Sequence, residues 1–419
     1  MCHRAPGTRV TKAALGIAFT ALAEGFGASG EYLYAIDLSS LRACPYAPGH
    51  AIILGLFQEK VPIAGLIGLD AVKVDLCPRT ILKRVVGDAS SRAGVEFLVG
   101  FETEFILLKD TKPVQAVNEH MWCNSAGLLS GTKETQVMEE IVEALIASGV
   151  ELQMYHSESA PGQYEVVTGP LPPLQAVDAL VHTRETIFNI ASRHGLRATR
   201  APRVFMDNCG SGAHAHISIQ DTTGKRPTSS KHQNLTTLES RFLAALLEHL
   251  PGIALLALPL PASYSRMVDG VWSGGTYVCW GTDNREAPVR LSNATSPKSR
   301  NFELKLLDGT ANPYLALSAF IGAGLDGIKR EKELRVKNCE GLQSAAYLGD
   351  DARAELGITE RLPLTWEEAR ARFQKSTFVD QLFGMDFKMK FLSVNKILKE
   401  QMTAPLSEDD QVKLLVETY

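Results

Sequence analysis

The stretch GFETEFILL, residues 100–108, combines the pattern of a buried strand with two acidic side chains. Glu102 and Glu104 lie two residues apart among Phe101, Phe105 and three aliphatic residues. Because alternate side chains of a strand point to the same face, both carboxylates face the same way. Leaving such charges unpaired in an apolar interior costs several kcal/mol. The stretch therefore predicts a cation that faces both glutamates.

The composition excludes some kinds of partner. The 419 residues include 45% hydrophobic and 21% charged residues, which is the balance of a globular protein. A formal net charge of −4 leaves no basic surface for a nucleic acid, so we expect none. We expect no membrane span, because no uninterrupted apolar run approaches the roughly 20 residues that one needs. Seven scattered cysteines without CxxC pairs favour a reducing compartment, and we predict the cytoplasm.

The N-terminal segment resembles a targeting signal. Arg4, Arg9 and Lys12 precede the apolar stretch AALGIAFTALA, which Gly16 and Thr20 interrupt. The interruptions favour a buried N-terminal helix over a targeting segment.

The order of predicted elements indicates an α+β protein. Apolar positions spaced as on one face of a helix predict helices over residues 135–149 and 174–195. Strand-like pieces lie between and after them: ELQMYH, YEVVTG, GAHAHISIQD, TYVCWG, PVRLS and NFELKLLD. Strands and helices do not alternate strictly, so we predict a mostly antiparallel sheet, followed by a helical C-terminal region.

Further polar residues occur in strand-like, otherwise apolar settings. In GSGAHAHISI, His214, His216 and Ser218 share one strand face, although satisfied core histidines would show the same pattern. In ESAPGQYEVV, Glu158 and Glu165 flank a Pro-Gly turn that could bring them together, although both could equally be solvated.

Taken together, these residues predict a metal centre. Glu303, on the polar face of NFELKLLDG, is the fifth glutamate of the set, beside one or two histidines. Mostly oxygen ligands with one imidazole suit Mg²⁺ or Mn²⁺ rather than zinc, and two such ions would neutralise this many carboxylates.

A set of cations accompanies the acids. It consists of Arg266, Arg285, Arg290 and Lys298. Guanidinium groups bind phosphate and carboxylate oxygens, and with carboxylate-bound magnesium they are typical of phosphoryl transfer from a nucleotide. No GxxxxGK[ST] loop is present, which excludes a P-loop fold as the means.

In its order of motifs the chain resembles the glutamine synthetase family over roughly residues 30–419. GFETEF, ESAPGQYE, GSGAHAHIS, NREAPVR and FELKLLDGTANPYLALSAFIGAGLDGI occur in the family's order. The chain is most similar to the fungal and bacterial glutamine-synthetase-like branch, which includes gamma-glutamylpolyamine synthetases. The resemblance implies a truncated N-terminal β-grasp-like domain at residues 1–76. It also implies a catalytic domain at residues 77–419 with a curved antiparallel sheet, and a homo-oligomeric ring.

The resemblance also implies a role for each site residue. One ion would be held by Glu104, Glu158 and Glu165, and the other by Glu102, His214 and Glu303. Arg285 and Arg290 would stabilise charge on the transferring phosphoryl group. Arg290, Lys298, His216 and Ser218 would lie at ATP, the co-substrate. Arg266 would bind the substrate α-carboxylate beside Gly210.

The acceptor side departs from the family's pattern. The family's flap glutamate corresponds to Trp272, and its second ammonium-site acid corresponds to an acid-free stretch near residue 17. Cys209 replaces an amide side chain before Gly210, and Lys305 replaces a substrate-side arginine. Without the two acids nothing concentrates NH₄⁺, while an aromatic suits a larger amine.

We therefore predict an ATP-dependent glutamate–amine ligase that activates a carboxylate as gamma-glutamyl phosphate and joins it to an organic amine. Two alternatives remain open. One is an ordinary ammonia-using glutamine synthetase, and the other is a catalytically quiet developmental or regulatory protein with this fold.

Overall fold

The fold is α+β, as the sequence predicts. The computed structural model describes residues 7–224, 232, 234–341, 343–404 and 407–419. The strands in that part of the chain are β1 (Gly7–Thr11), β2 (Ile17–Ala18), β3 (Ala21–Leu22), β4 (Glu31–Ile36), β5 (Arg42–Ala43), β6 (Ala51–Ile52), β7 (Gly55–Glu59), β8 (Val95–Thr111), β9 (Val114–Ala116), β10 (Leu152–Ser157), β11 (Gln163–Thr168), β12 (Arg197–Thr199), β13 (Ala215–Asp221), β14 (Trp280–Thr282), β15 (Val289–Ser292) and β16 (Asn301–Leu304). The α-helices there are α1 (Pro78–Asp88), α2 (Asn124–Gly127), α3 (Lys133–Ala147), α4 (Pro173–Arg193), α5 (Thr237–Ala257), α6 (Pro313–Lys329), α7 (Asp350–Glu355), α8 (Trp366–Lys375), α9 (Thr377–Phe383), α10 (Met385–Met402) and α11 (Glu408–Thr418).

A nine-stranded sheet forms the centre of the molecule. Its order is β10-β11-β8-β13-β16-β15-β14, and β9 and β12 also pair with β8. All of these pairs are antiparallel except β14–β15, which is parallel. The prediction of a mostly antiparallel sheet is therefore confirmed.

The register of this sheet brings distant motifs together. Glu104 lies opposite Glu165 across β8 and β11. Glu303 lies opposite His216 on one side and opposite Arg290 on the other. Five separate motifs of the sequence therefore meet on adjacent strands.

Two long helices cover the sheet. Helices α5 and α6 pack against each other and share a hydrophobic core with Phe97, Ile217 and Phe302 of the sheet. A capping box begins α5: Thr236 Oγ1 accepts the Glu239 N–H at 3.1 Å, and Glu239 Oε2 accepts the Thr236 N–H at 2.6 Å. By length and composition alone α5 could cross a membrane, but 78% of its most apolar window is buried inside the protein.

The N-terminal region is built from strands rather than from the predicted buried helix. A short 3₁₀ turn leads into the hairpin β2–β3, and Ile17 and Phe19 are each a little under half exposed. The prediction of a buried N-terminal helix is therefore wrong. Gly16 packs directly against the Phe26 ring, where a Cβ would lie 2.2 Å from the nearest ring atom. Arg4, part of the same prediction, lies outside the described residues.

A smaller sheet of order β1-β4-β7 precedes the central sheet in the chain. Helix α1 begins at Pro78, just after the predicted domain boundary. The division into residues 1–76 and 77–419 stays a prediction.

Candidate active site

Two adjoining cavities lie over the central sheet. Their volumes are about 630 Å³ and about 430 Å³, and Glu102, Met154 and Arg290 line both. Of the predicted site residues, the larger cavity is lined by Glu102, Glu104, Glu158, Glu165, Cys209, Gly210, His214, Arg266, Trp272, Arg285, Arg290, Glu303 and Lys305. The smaller cavity is lined by His216, Ser218 and Lys298. The structure thus brings every predicted site residue to one of these two neighbouring cavities.

Glu102, His214 and Glu303 converge at one point, with a ligand atom of each within 4.8 Å of the others. His214 Nδ1 lies 2.7 Å from Glu102 Oε2 and 3.4 Å from Glu303 Oε1. Glu303 is 1% exposed and His214 is 6% exposed, so the group is shielded from bulk water. This is the set predicted to hold one divalent ion.

The other predicted set, Glu104, Glu158 and Glu165, is arranged as two overlapping groups. Glu165 belongs to both groups, once with Glu102 and Glu104 and once with His156 and Glu158. His156 Nε2 lies 3.1 Å from Glu165 Oε1, and its Nδ1 lies 3.8 Å from Glu158 Oε1. His156 was not among the predicted residues.

The carboxylates have strongly shifted pKa values. Burial, followed by repulsion from Glu165, raises the pKa of Glu104 well above its usual range. Burial raises the pKa of Glu165 to about 7. Burial would also raise the pKa of Glu102, but hydrogen bonds from His214 and His216 outweigh it and hold that pKa well below the usual value.

These shifts fit a site for divalent cations. Burial first, and the neighbouring carboxylates after it, disfavour the charged forms of Glu104 and Glu165 in the chain alone, and a bound cation would favour those charged forms. Carboxylate oxygens with few imidazoles are the donors that Mg²⁺ and Mn²⁺ prefer.

Cationic side chains surround the acids. Lys305 Nζ donates to Glu303 Oε1 at 3.0 Å, and Arg290 Nε lies 2.5 Å from Glu303 Oε2 in an ion pair. Arg266 is 2% exposed, and its Nε has no hydrogen-bond partner in the described part of the chain. Arg285 is exposed at the wall of the larger cavity. A buried, unpaired guanidinium N–H is suited to an anionic substrate group.

Two glycines let the backbone approach these side chains. A Cβ at Gly210 would lie 2.4 Å from the Pro202 carbonyl oxygen and 2.5 Å from Arg266 Cγ. A Cβ at Gly212 would lie 2.4 Å from His214 Nε2. Any larger residue at either position would displace a predicted site residue.

Two stacked indoles line the larger cavity. The rings of Trp272 and Trp122 have centroids 5.2 Å apart and an interplanar angle of 26°, and each residue is about half exposed. Trp122 Nε1 donates to Glu158 Oε2 at 2.9 Å, which ties the pair to a predicted metal ligand. Cys209 Sγ donates to the Val271 carbonyl oxygen at 3.2 Å and so contacts the segment that carries Trp272.

Comparison with known proteins identifies the scaffold. Residues 75–410 match the family model described as "Glutamine synthetase, catalytic domain". The chain belongs to the glutamine synthetase family. A solved structure described as a novel glutamine synthase homolog has a TM-score of 0.79 and 26% identity, covering 99% of this chain and 91% of that one.

Relatives within the family include proteins of different names. Protein fluG of Emericella nidulans is 36% identical over 355 residues, which cover 82% of this chain and 38% of that protein. The gamma-glutamylpolyamine synthetase GlnA3 of Streptomyces coelicolor is 33% identical over 312 residues, which cover 74% of this chain and 66% of that protein. The chain thus spans well under half of the first relative and just under two thirds of the second.

Membership of the glutamine synthetase family confirms the predicted fold. The family uses divalent metal ions and ATP, and the acidic groups described above are candidate sites for such ions.

The structure adds three residues of the glutamine synthetase scaffold that the sequence prediction missed. They are His156, Trp122 and Gln163. Gln163 Nε2 donates to Glu104 Oε2 at 3.1 Å and to Ser211 Oγ at 3.0 Å, which fixes the orientation of that glutamate. His156 lies in the strand-like piece ELQMYH, and Gln163 lies in ESAPGQYE. A polar side chain in such a segment could have indicated both residues. Trp122 lies in a segment without periodic pattern and gave no such indication.

Proposed function

We propose that the chain is an ATP-dependent glutamate–amine ligase whose acceptor is an organic amine. The observation that carries the proposal is the Trp272–Trp122 stack at the acceptor side of the cleft. The family resemblance places the flap glutamate of ammonia-using enzymes at position 272. An indole pair offers apolar surface and a π face to a carbon-bearing amine, and lacks the charge that attracts NH₄⁺.

The reaction has two balanced steps. A glutamate carboxylate oxygen attacks the γ-phosphorus of ATP, the bond to the ADP oxygen breaks, and an acyl phosphate and ADP result. The amine nitrogen then attacks the acyl carbon and forms a C–N bond, while the C–O bond to phosphate breaks and the amine gives up one proton. The products are a γ-glutamyl amide, ADP and phosphate.

The chain supplies the groups that bind and orient the reactants. The unpaired Nε of Arg266 suits the substrate α-carboxylate, with Gly210 packed against its side chain. Arg285 and Arg290 suit the transferring phosphoryl group. On the side of the smaller cavity, His216, Ser218 and Lys298 suit the nucleotide.

Two divalent ions fit the acidic groups of this cleft. Glu102, His214 and Glu303 would hold one ion. Glu104, Glu158 and Glu165 would hold the other, where Glu165 converges with Glu102 and Glu104 in one group and with His156 and Glu158 in a second. When bound, such ions neutralise phosphate oxygens and the developing charge of the leaving group.

A screen of acceptors tests this function. The purified chain is incubated with ATP, Mg²⁺, glutamate and either ammonia or one primary amine, and γ-glutamyl products are measured by mass spectrometry. We expect kcat/KM for at least one organic amine to exceed kcat/KM for ammonia by about tenfold. This is the discrimination that one methylene group gives in an apolar pocket.

The variant Trp272→Glu sharpens the screen. A carboxylate at this position attracts NH₄⁺ and removes one indole, so the ratio of organic-amine to ammonia turnover should fall. Trp272→Phe keeps an aromatic ring and is the matched control. Ammonia as the best acceptor of the unchanged chain would instead indicate an ordinary glutamine synthetase. Binding of Mg-ATP without turnover would indicate the catalytically quiet alternative.

We also infer a cytoplasmic homo-oligomer, with a ring as the expected form. Large apolar side chains of the N-terminal region are exposed in the single chain: Phe19 is 42% exposed, Val61 76% and Ile67 89%. A subunit interface would cover such large apolar side chains. The described cysteines are all free, in keeping with a reducing compartment.

A further inference from the structure

A histidine of the edge strand faces the glutamates of the larger cavity. His156 belongs to β10, at one end of the strand order, and lies directly opposite Glu165 of β11. Glu165 in turn lies opposite Glu104 of β8, and all three residues line the cavity. Because directly opposite residues of antiparallel strands place their side chains on the same face, the sheet fixes the imidazole beside Glu165.

Hydrogen bonds orient this imidazole. His156 Nδ1 lies 3.0 Å from the Ser157 carbonyl oxygen, which can only accept, so Nδ1 carries a proton and donates the hydrogen bond. The other ring nitrogen, Nε2, lies 3.1 Å from Glu165 Oε1. A histidine that binds a metal ion commonly donates its second ring N–H to a backbone carbonyl in this way. The geometry therefore makes Nε2 the atom that can act as a ligand.

Glu158 is held so that one of its oxygens faces the same point. Its Oε2 accepts the Trp122 Nε1–H at 2.9 Å and the Ser159 N–H at 3.0 Å. Its Oε1 lies 3.8 Å from His156 Nδ1, too far for a hydrogen bond. His156, Glu158 and Glu165 each offer a ligand atom within 4.8 Å of the others, and we call these three residues the outer group.

Glu104 is held elsewhere in the cavity. Its Oε2 accepts the Gly212 N–H at 2.9 Å, and its carboxylate converges with Glu102 and Glu165. Among the described residues, no group that meets the same 4.8 Å limit contains both Glu104 and Glu158. The structure thus joins Glu158 and Glu165 to an imidazole rather than to the third glutamate of the predicted set.

The charge of the outer group favours a divalent ion. It contains two carboxylates, and within the described part of the chain neither forms an ion pair with a lysine or an arginine. A protonated imidazole would balance only one of these charges. A divalent cation bound to a neutral imidazole balances both.

We propose that the outer group binds the second divalent ion of this cleft, with His156 Nε2 as a ligand in place of a Glu104 oxygen. The proposal rests on the two-ion cleft of the proposed function and changes the donors of one ion. An imidazole nitrogen favours Co²⁺ over Mg²⁺, because Mg²⁺ prefers oxygen donors. This site should therefore select a transition-metal ion over Mg²⁺.

Metal binding without nucleotide or substrate tests the assignment. Equilibrium dialysis of the full chain, with Co²⁺ and separately with Mg²⁺, gives the number of bound ions and their dissociation constants. We expect two Co²⁺ ions per chain, and His156→Gln should weaken one of them by at least about tenfold. Mg²⁺ affinity should change by less than about threefold, because the amide oxygen of glutamine is a donor that Mg²⁺ accepts.

A spectroscopic readout counts the imidazole ligands directly. Pulsed electron paramagnetic resonance of the Mn²⁺-loaded chain detects nitrogen nuclei that are coupled to the bound ion. The unchanged chain should show coupling from two imidazoles, those of His214 and His156. His156→Gln should keep only the coupling from His214, and this retained site also shows that the variant is folded.

His194→Gln is the matched control. His194 also pairs with a glutamate, since its Nε2 lies 2.7 Å from Glu140 Oε2, but it lines neither of the two cavities of the site. This variant should bind Co²⁺ and Mg²⁺ as the unchanged chain does. A loss in His194→Gln equal to that in His156→Gln would mean that the effect does not come from the outer group.

Three further results would overturn the assignment. The first is unchanged Co²⁺ binding in His156→Gln. The second is an equal loss of Co²⁺ and Mg²⁺ affinity, because a nitrogen ligand acts mainly on the transition metal. The third is the loss of both ions, because the first ion has its own ligands. Absence of turnover with every amine would instead overturn the ligase function and leave the metal assignment standing.

Discussion

Replacing Glu102 by glutamine is expected to reduce amide-forming turnover by about a thousandfold or more, the scale of losing a preorganised electrostatic group. Glu102 Oε2 lies 2.7 Å from His214 Nδ1, and Glu102 Oε1 lies 2.9 Å from His216 Nε2. Because hydrogen bonds from both imidazoles hold its pKa low, the carboxylate keeps a full charge in spite of burial. Glutamine keeps the shape of the side chain but loses that charge, so a divalent ion loses one of its ligands.

The measurement has two readouts. Turnover is followed by ADP and γ-glutamyl product formation, and binding of Mn²⁺ without nucleotide is followed by the electron paramagnetic resonance signal of the free ion. Glu96→Gln is the matched control, since Glu96 lies on the same strand and is exposed. The metal assignment fails if Glu102→Gln binds Mn²⁺ as the unchanged chain does and keeps turnover within about threefold.

Much of this site could be predicted because the side chains of a strand return to the same face at every second residue. The spacing of Glu102 and Glu104, or of His214 and His216, fixes which side chains share a face before any partner strand is known. The pairing of the strands with one another cannot be predicted from this spacing. That Glu104 lies opposite Glu165, or that Glu303 lies beside both His216 and Arg290, depends on long-range register. The family resemblance supplied only the grouping of the glutamates and His214 around two ions, and not this register.

Other features escaped prediction for physical reasons. The piece TYVCWG was predicted as a strand, but only its last two residues, Trp280 and Gly281, pair with β15. Ile146, an apolar residue of the helix predicted over residues 135–149, is 59% exposed near the end of α3. The stack of Trp122 on Trp272 joins two irregular segments, where no periodicity limits which side chains meet.

The hydrogen-bond network around Asp178 is expected to contribute strongly to the stability of the fold and not to catalysis. Arg79 Nε and Nη2 donate to the two Asp178 carboxylate oxygens at 2.9 and 2.6 Å, and the Tyr314 hydroxyl donates to Oδ1 at 2.6 Å. A further bond of 3.0 Å joins Arg79 to Asp37, so helices α1, α4 and α6 are linked to the N-terminal region. Burial alone would lower the pKa of Arg79, but Asp178 outweighs it and raises that pKa, so the pair stays charged.

Asp178→Ala leaves the guanidinium of Arg79 buried without its bidentate partner. The free energy of unfolding should fall by about 3–5 kcal/mol, the usual cost of breaking a buried ion pair from one side. Urea denaturation followed by circular dichroism measures this change. Asp88→Ala removes the exposed ion pair with Arg92 and should change the same quantity by less than about 1 kcal/mol. If the two variants lose equal stability, the buried network does not hold the N-terminal strands against the catalytic helices. Their attachment would then have to come from the apolar contacts around Tyr32 and Val74.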